Sequence, residues 1–220
     1  VAGDHGCWGL ALSSTSAIPF ISMPARTRPT QRVSTSSSLP LLGITMGDPA
    51  GIGPEVIAKA LSGGRLHKIC RPLVIGSLAV MVRTVRTLRL KLTVLPIDGH
   101  ETPALRPGTV ALLDPLSSPL GRFTPGLAAA ETGAASVTFI EKAVELAQLG
   151  CLDGIVTAPS NKEAINMAGC RYPGHTELLA DLTQAKESGM MIVGGPLRIM
   201  FATTHVAIKE LPTLLTQARI

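Results

Sequence analysis

Leu41-Leu42-Gly43-Ile44-Thr45-Met46-Gly47-Asp48-Pro49-Ala50-Gly51-Ile52-Gly53-Pro54-Glu55 decides how this chain is read. Leu41 to Met46 is a short apolar run of the length expected for a buried strand, and a turn rich in glycine follows it. Pro54 sits where a helix opens, at a position that needs no N–H donor. Glu55 in that first turn complements the positive end of the helix dipole. Strand, tight turn and helix together are the unit from which α/β folds are assembled.

The same alternation continues outward. Leu73 to Ile75 reads as a second strand, and Ser77 is placed to cap a helix running to about Leu90. Thr109 to Leu113 is another strand. Leu127 to Leu149 is the longest helical stretch, with Val137, Ile140, Val144 and Leu146 spaced for one apolar face. After a strand at Gly154 to Ala158, Ser160 and Glu163 match a capping box that opens a further helix. Leu197 to Thr203 is β-rich, and Ile208 onward reads as helix (Leu211, Leu214, Leu215, Ala218) with no stop signal before Ile220. The pattern predicts an α/β chain with a largely parallel sheet.

Residues 1 to 39 differ from the rest. Arg26, Arg28 and Arg32 stand against the single acid Asp4, and the stretch closes in Ser34-Thr35-Ser36-Ser37-Ser38. Basic, serine-rich and acid-poor composition is that of a transit-like or leader segment. It is expected to be disordered and to precede a folded unit spanning 40 to 220.

Composition narrows the function classes. Hydrophobic residues make up 45% and charged residues 16%, which excludes a disordered chain. Aromatics are only 3%, so aliphatic side chains must build the core. No apolar run reaches the roughly 18 residues of a membrane helix. The net charge is +5, and no acid falls between Glu55 and Asp98. That stretch also lacks aromatics for base stacking, so it reads as a solvated basic face, not a nucleic-acid surface. Cys7, Cys70, Cys151 and Cys170 lie far apart without metal-type spacing, and reduced, mostly buried thiols are expected.

Four segments offer chemistry. The turn from Gly47 to Glu55 lets backbone approach a ligand and presents free N–H groups, although it has neither the dinucleotide fingerprint nor the Walker A ending. A tight structural turn explains it equally well. Gly174-His175-Thr176-Glu177 gathers several donors at one turn, or His175 merely caps the helix that follows. Thr203-Thr204-His205 ends a predicted strand, where ligands of open α/β sheets collect. A neutral imidazole there suits a divalent cation, while packing at the surface is the plainer alternative. Lys162 can meet a phosphate or be solvated.

Taken in register, Ile44 to Glu55, Val156-Thr157-Ala158-Pro159-Ser160-Asn161-Lys162, Tyr172-Pro173-Gly174-His175-Thr176-Glu177 and Ala202-Thr203-Thr204-His205 resemble the 4-hydroxythreonine-4-phosphate dehydrogenases of pyridoxal phosphate synthesis. The resemblance covers about residue 41 to 220. It implies a fold like that of isocitrate and isopropylmalate dehydrogenases. It also implies oxidation of 4-phosphohydroxy-L-threonine by NAD or NADP with a divalent metal (zinc, magnesium or cobalt), followed by decarboxylation to 3-amino-2-oxopropyl phosphate. By the family pattern His175 and Thr176 bind substrate, and His205 is one of three metal-binding histidines. A cytoplasmic homodimer acting on a small phosphorylated hydroxy-amino acid, without nucleic acid or membrane, is the expected setting.

The neighbouring readings are a 4-phosphothreonate or 4-phosphoerythronate dehydrogenase, or an inactive fragment that only binds phosphorylated ligand. The family is longer than this chain, which is expected to correspond to its N-terminal two-thirds and to lack turnover alone. Ser160 stands where the family pattern carries an aliphatic residue.

Overall fold

The computed structural model describes residues 39–98, 106–170, 174–186, 188–203 and 206–217. The expectation for the leader therefore lies outside the described residues. Five strands form one sheet: β1 (Leu41–Thr45), β2 (Arg71–Ile75), β3 (Thr93–Pro96), β4 (Thr109–Leu113) and β5 (Gly154–Thr157). Their order is β3-β4-β2-β1-β5, and every pairing is parallel. The predicted α/β class with a largely parallel sheet is what the chain adopts.

β2 begins two residues earlier than its apolar run suggests, and it includes Pro72. A proline normally argues against a central strand, because it cannot donate to the ladder. Arg71 N donates to Pro40 O on the β1 side, so the missing N–H of Pro72 falls on the β4 side. β4 pairs only from Val74 onward, so no ladder bond is lost there.

Helices α1 (Gly53–Ser62), α2 (Leu78–Thr87) and α3 (Ala130–Gln148) cover the sheet. α1 opens with Pro54 and Glu55 in its first turn, as its sequence dictates. α2 corrects one expectation. Ser77 occupies the N-cap position but makes no side-chain cap bond. The Leu78 N–H is instead met at 2.7 Å by Asp114 Oδ2, from just beyond β4. A carboxylate at a helix N-terminus is favoured by the dipole as well as by the hydrogen bond, so a long-range partner displaces the local serine.

α3 carries two apolar faces. Ala135, Phe139, Ala143 and Leu146 join the main core beneath the sheet. Ile140 and Val144 instead pack with Leu178 of α5 (His175–Thr183) in a second, smaller cluster. The stripe read from the sequence thus mixes both faces. α4 (Lys162–Met167) also lies against α3.

The expected strand at Leu197 to Thr203 is shorter and is not part of the parallel sheet. β7 (Leu197–Met200) pairs antiparallel with β6 (Met191–Gly194) in a separate hairpin. Thr203 therefore does not lie at the carboxyl end of a strand of the open sheet, contrary to expectation. The helix expected from Ile208 is a 3-10 turn (Ile208–Glu210) followed by a short α6 (Leu211–Leu214). Of the described cysteines, Cys70 is buried, Cys151 exposed and Cys170 half-buried. The basic residues Arg83, Arg86 and Arg89 are exposed, as a solvated face requires, with Arg83 over the Phe123 ring at 4.7 Å. Among the described residues no helix is long and apolar enough to cross a membrane.

Candidate functional site

β1 and β5 are neighbours in the sheet although more than a hundred residues separate them in sequence. The loops that leave their carboxyl ends therefore meet. Asp48 N donates to Pro159 O at 3.1 Å, joining the turn after β1 to the loop after β5. Gly47 has φ +69, and a Cβ there would run into the Pro159 and Ala158 carbonyls. Only glycine satisfies both the backbone conformation and the close approach. At Gly53 a side chain would strike the Met46 carbonyl. These two glycines are thus fixed by packing, whatever ligand the turn meets.

Between the two loops lies a recess of about 340 Å³, lined by Asp48, Ala50, Gly51, Ile52, Gly126 and Pro159 to Lys162. That volume is at the lower end of the range for small-molecule sites. Crevices outside the carboxyl ends of parallel strands are where open α/β sheets hold ligands. Asp48 is only 3% exposed, and its Oδ1 accepts from Ala50 N at 2.9 Å. It shapes the turn. Lys162 is exposed at the recess, so it is free to meet an anion.

The capping box read from the sequence is displaced by one residue. Asn161 is the N-cap of α4, and its Oδ1 accepts from Glu163 N at 2.9 Å and from Ala164 N at 3.2 Å. Asparagine is a cap of the same strength as serine, and here it holds the position one residue inside the predicted start. Ser160 is thereby released. Its Oγ lies 3.2 Å from His175 Nε2 at the start of α5. Burial holds the His175 imidazole pKa below its usual value, so the neutral ring is favoured. His175 does not serve as the cap of its own helix, since Gly174 occupies that position.

The structure thus brings together the Gly47–Gly53 turn, Ser160, Lys162 and His175. Thr176 follows His175 in the first turn of α5 and is exposed. His205 lies outside the described residues. Among those described, no group of three His, Cys, Asp or Glu side chains converges, so they do not by themselves make up a metal site. Ser160 is the partner of His175, a pairing that local sequence pattern does not show. The signal lay in Asn161, which competes for the same cap.

An all-parallel α/β sheet with a small-molecule recess at its strand ends defines the class: an enzyme-type α/β domain. The chain belongs to the family described as pyridoxal phosphate biosynthetic protein PdxA, whose model matches residues 68–220. A 4-hydroxythreonine-4-phosphate dehydrogenase of Desulfosudis oleivorans is 42% identical over 177 residues, which is 80% of this chain and 52% of that protein. A D-threonate 4-phosphate dehydrogenase of Cupriavidus necator is 40% identical, over 80% of this chain and 52% of the relative. The crystal structure of a 4-hydroxythreonine-4-phosphate dehydrogenase from Klebsiella pneumoniae superposes with TM-score 0.75 at 34% identity, covering 84% of this chain and 56% of that one. This chain therefore spans about half the length of the curated relatives it matches. The family is one of oxidoreductases, and the expected isocitrate/isopropylmalate dehydrogenase-like fold is borne out.

Proposed function

We propose that the chain serves the oxidation of 4-phosphohydroxy-L-threonine to 3-amino-2-oxopropyl phosphate in pyridoxal phosphate synthesis, with NAD or NADP as hydride acceptor and loss of CO2. The observation that carries the reading is the meeting of His175 and Ser160 beside the recess at the ends of β1 and β5, in a chain of this family. Lys162 offers a charge to the substrate phosphate. His175, kept neutral by burial, and Thr176 hydrogen-bond the substrate's polar groups. A divalent cation (zinc, magnesium or cobalt), held in part by His205, belongs to the reading and would supply Lewis-acid polarisation.

A second reading, oxidation of 4-phospho-D-threonate, is favoured by relatives of that name at nearly the same identity. The two substrates differ in the group at C2, and both carry the phosphate that Lys162 would meet. Joining this chain to the C-terminal half of the Desulfosudis oleivorans relative and following NAD(P)H formation with each substrate separates the readings. The first requires turnover of the amino acid, and turnover of the threonate alone favours the second. In that enzyme His175→Ala lowers kcat/KM by on the order of 10²-fold, the size of losing one positioned polar group. Unchanged kinetics would remove His175 from the site.

The proposed unit begins near residue 40 and works as a cytoplasmic homodimer. Exposed apolar residues support self-association. Met191, Ile192 and Val193 of β6 and Leu197, Ile199 and Met200 of β7 are each about half or more exposed, on both faces of the hairpin. Contiguous exposed apolar surface of this kind marks interaction sites. Sedimentation of the wild type against Ile192→Lys tests it: a dimer that the substitution dissociates is expected, and a monomeric wild type contradicts it.

A further inference from the structure

We propose that Ser160 is a positioning residue for His175: its hydroxyl donates to Nε2 and holds the ring as the Nδ1–H tautomer, leaving Nδ1–H as the donor offered to a ligand. The inference rests on the reading of His175 as a substrate-binding residue, but its test does not.

The geometry is specific. Ser160 is the last residue before the N-cap of α4, and His175 is the first residue of α5. The two side chains meet across the connection between these helices at 3.2 Å, in a half-buried setting. Asn161 has taken over the capping of α4, so the serine hydroxyl is not needed by the helix start.

The direction of the bond follows from the strength of the two acceptors. A neutral imidazole has one N–H donor and one bare nitrogen acceptor, and a hydroxyl has one donor proton and two lone pairs. If Nε2–H donates to Ser160, the hydroxyl proton is left to solvent, since His175 is the only side-chain hydrogen-bond partner of Ser160 among the described residues. If the hydroxyl donates to Nε2, its proton is placed and the ring proton moves to Nδ1. Each direction leaves one donor to solvent or ligand, and the bare ring nitrogen, basic enough to take a proton near neutral pH, is a stronger acceptor than a hydroxyl oxygen, so the hydroxyl donates. The partner of one imidazole nitrogen thus fixes what the other can do. A ring with its proton on Nδ1 offers a donor there, suited to a carboxylate, phosphate or carbonyl oxygen of a ligand.

Nitrogen-15 NMR of the 220-residue chain, at a pH where His175 is neutral, reads the tautomer from the two ring shifts without any ligand. The wild type is expected to show Nε2 as the unprotonated nitrogen. Ser160→Ala is expected to shift the tautomer ratio toward Nε2–H by about fivefold, the size of one ordinary hydrogen bond. Ser160→Thr, which keeps the hydroxyl, restores the wild-type ratio. A wild type protonated at Nε2, or a ratio that Ser160→Ala leaves unchanged, overturns the proposal. Should the ratio respond as expected while His175→Ala leaves ligand binding intact, the positioning stands and the substrate role of His175 falls.

Discussion

The Cα of Gly133, in the second turn of α3, lies so close to the Ala164 carbonyl of α4 that no Cβ fits between them. This contact seats α4 on α3, and α4 in turn carries the Ser160–Lys162 loop at its start. Gly133→Ala gains about 1 kcal/mol of helix propensity. The obstruction is backbone, so no rotamer relieves it, and α4 must move. Overpacking of this kind costs about 1–3 kcal/mol. The second effect wins, and we expect a fall in Tm of several degrees with a displaced recess. A Tm at or above wild type would show that α4 moves freely.

Exchanging the two adjacent polar residues before α4 separates capping from site chemistry. Asn161→Ala removes both cap bonds and is expected to cost about 1 kcal/mol. Ser160→Ala, which caps nothing, gives up only its single hydrogen bond to His175 and is expected to cost less than the loss of the cap. Denaturant unfolding of the two variants measures the difference directly. The reverse ranking would return the cap to Ser160.

Gly47→Ala combines a positive φ with collision against the Pro159 and Ala158 carbonyls. Both penalties fall on the junction of the β1 and β5 loops. We expect stability to drop and binding of a phosphorylated ligand to weaken together, because one contact supports both. Fluorescence-monitored unfolding and calorimetry on the same preparation check the pairing.

Burial sets the sign of a pH dependence. The folded-state pKa of His175 lies below its usual value, so the unfolded chain binds the proton more readily. Its contribution to stability is present above the usual histidine pKa and is lost as pH falls from there through the folded value. His175→Gln is expected to flatten that limb of the stability curve. An unchanged limb would place the titration elsewhere.

The strand–turn–helix at Leu41 to Glu55 was legible because each residue acts locally: an apolar run, glycines at a close approach, and proline at a helix start. Thr109 to Leu113, Gly154 to Thr157 and the long α3 were legible for the same reason. What local pattern could not show were substitutions of partner. Asp114 caps α2 from the end of the neighbouring strand β4 where Ser77 was expected, and Asn161 takes the cap from Ser160. β3 was missed because its residues are mostly exposed and carry no clean alternation. The run at Leu197 was read as a sheet strand because apolar content does not say which partner it pairs with. Of the candidate site, His175 and its turn were visible, whereas the Ser160 contact depends on the meeting of two separate loops.

The proposed functional unit starts near Pro40, so deleting residues 1–39 is expected to leave Tm unchanged. β1 begins at Leu41, and its first N–H is met by Asp153 Oδ2 at 2.7 Å, from within the folded unit. A loss of several degrees on deletion would show that the leader packs on the fold.

Calorimetric titration of the 220-residue chain with 4-phosphohydroxy-L-threonine, run beside unphosphorylated 4-hydroxy-L-threonine and beside the His175→Ala variant, asks whether a phosphorylated hydroxy acid sits beside His175. Saturable binding is expected that requires the phosphate and that weakens by about tenfold or more without the imidazole, or roughly 1.4 kcal/mol. Equal affinity for the phosphorylated and unphosphorylated ligands, or an affinity that His175→Ala leaves unchanged, would contradict the placement of a phosphorylated hydroxy acid beside His175 at the ends of β1 and β5.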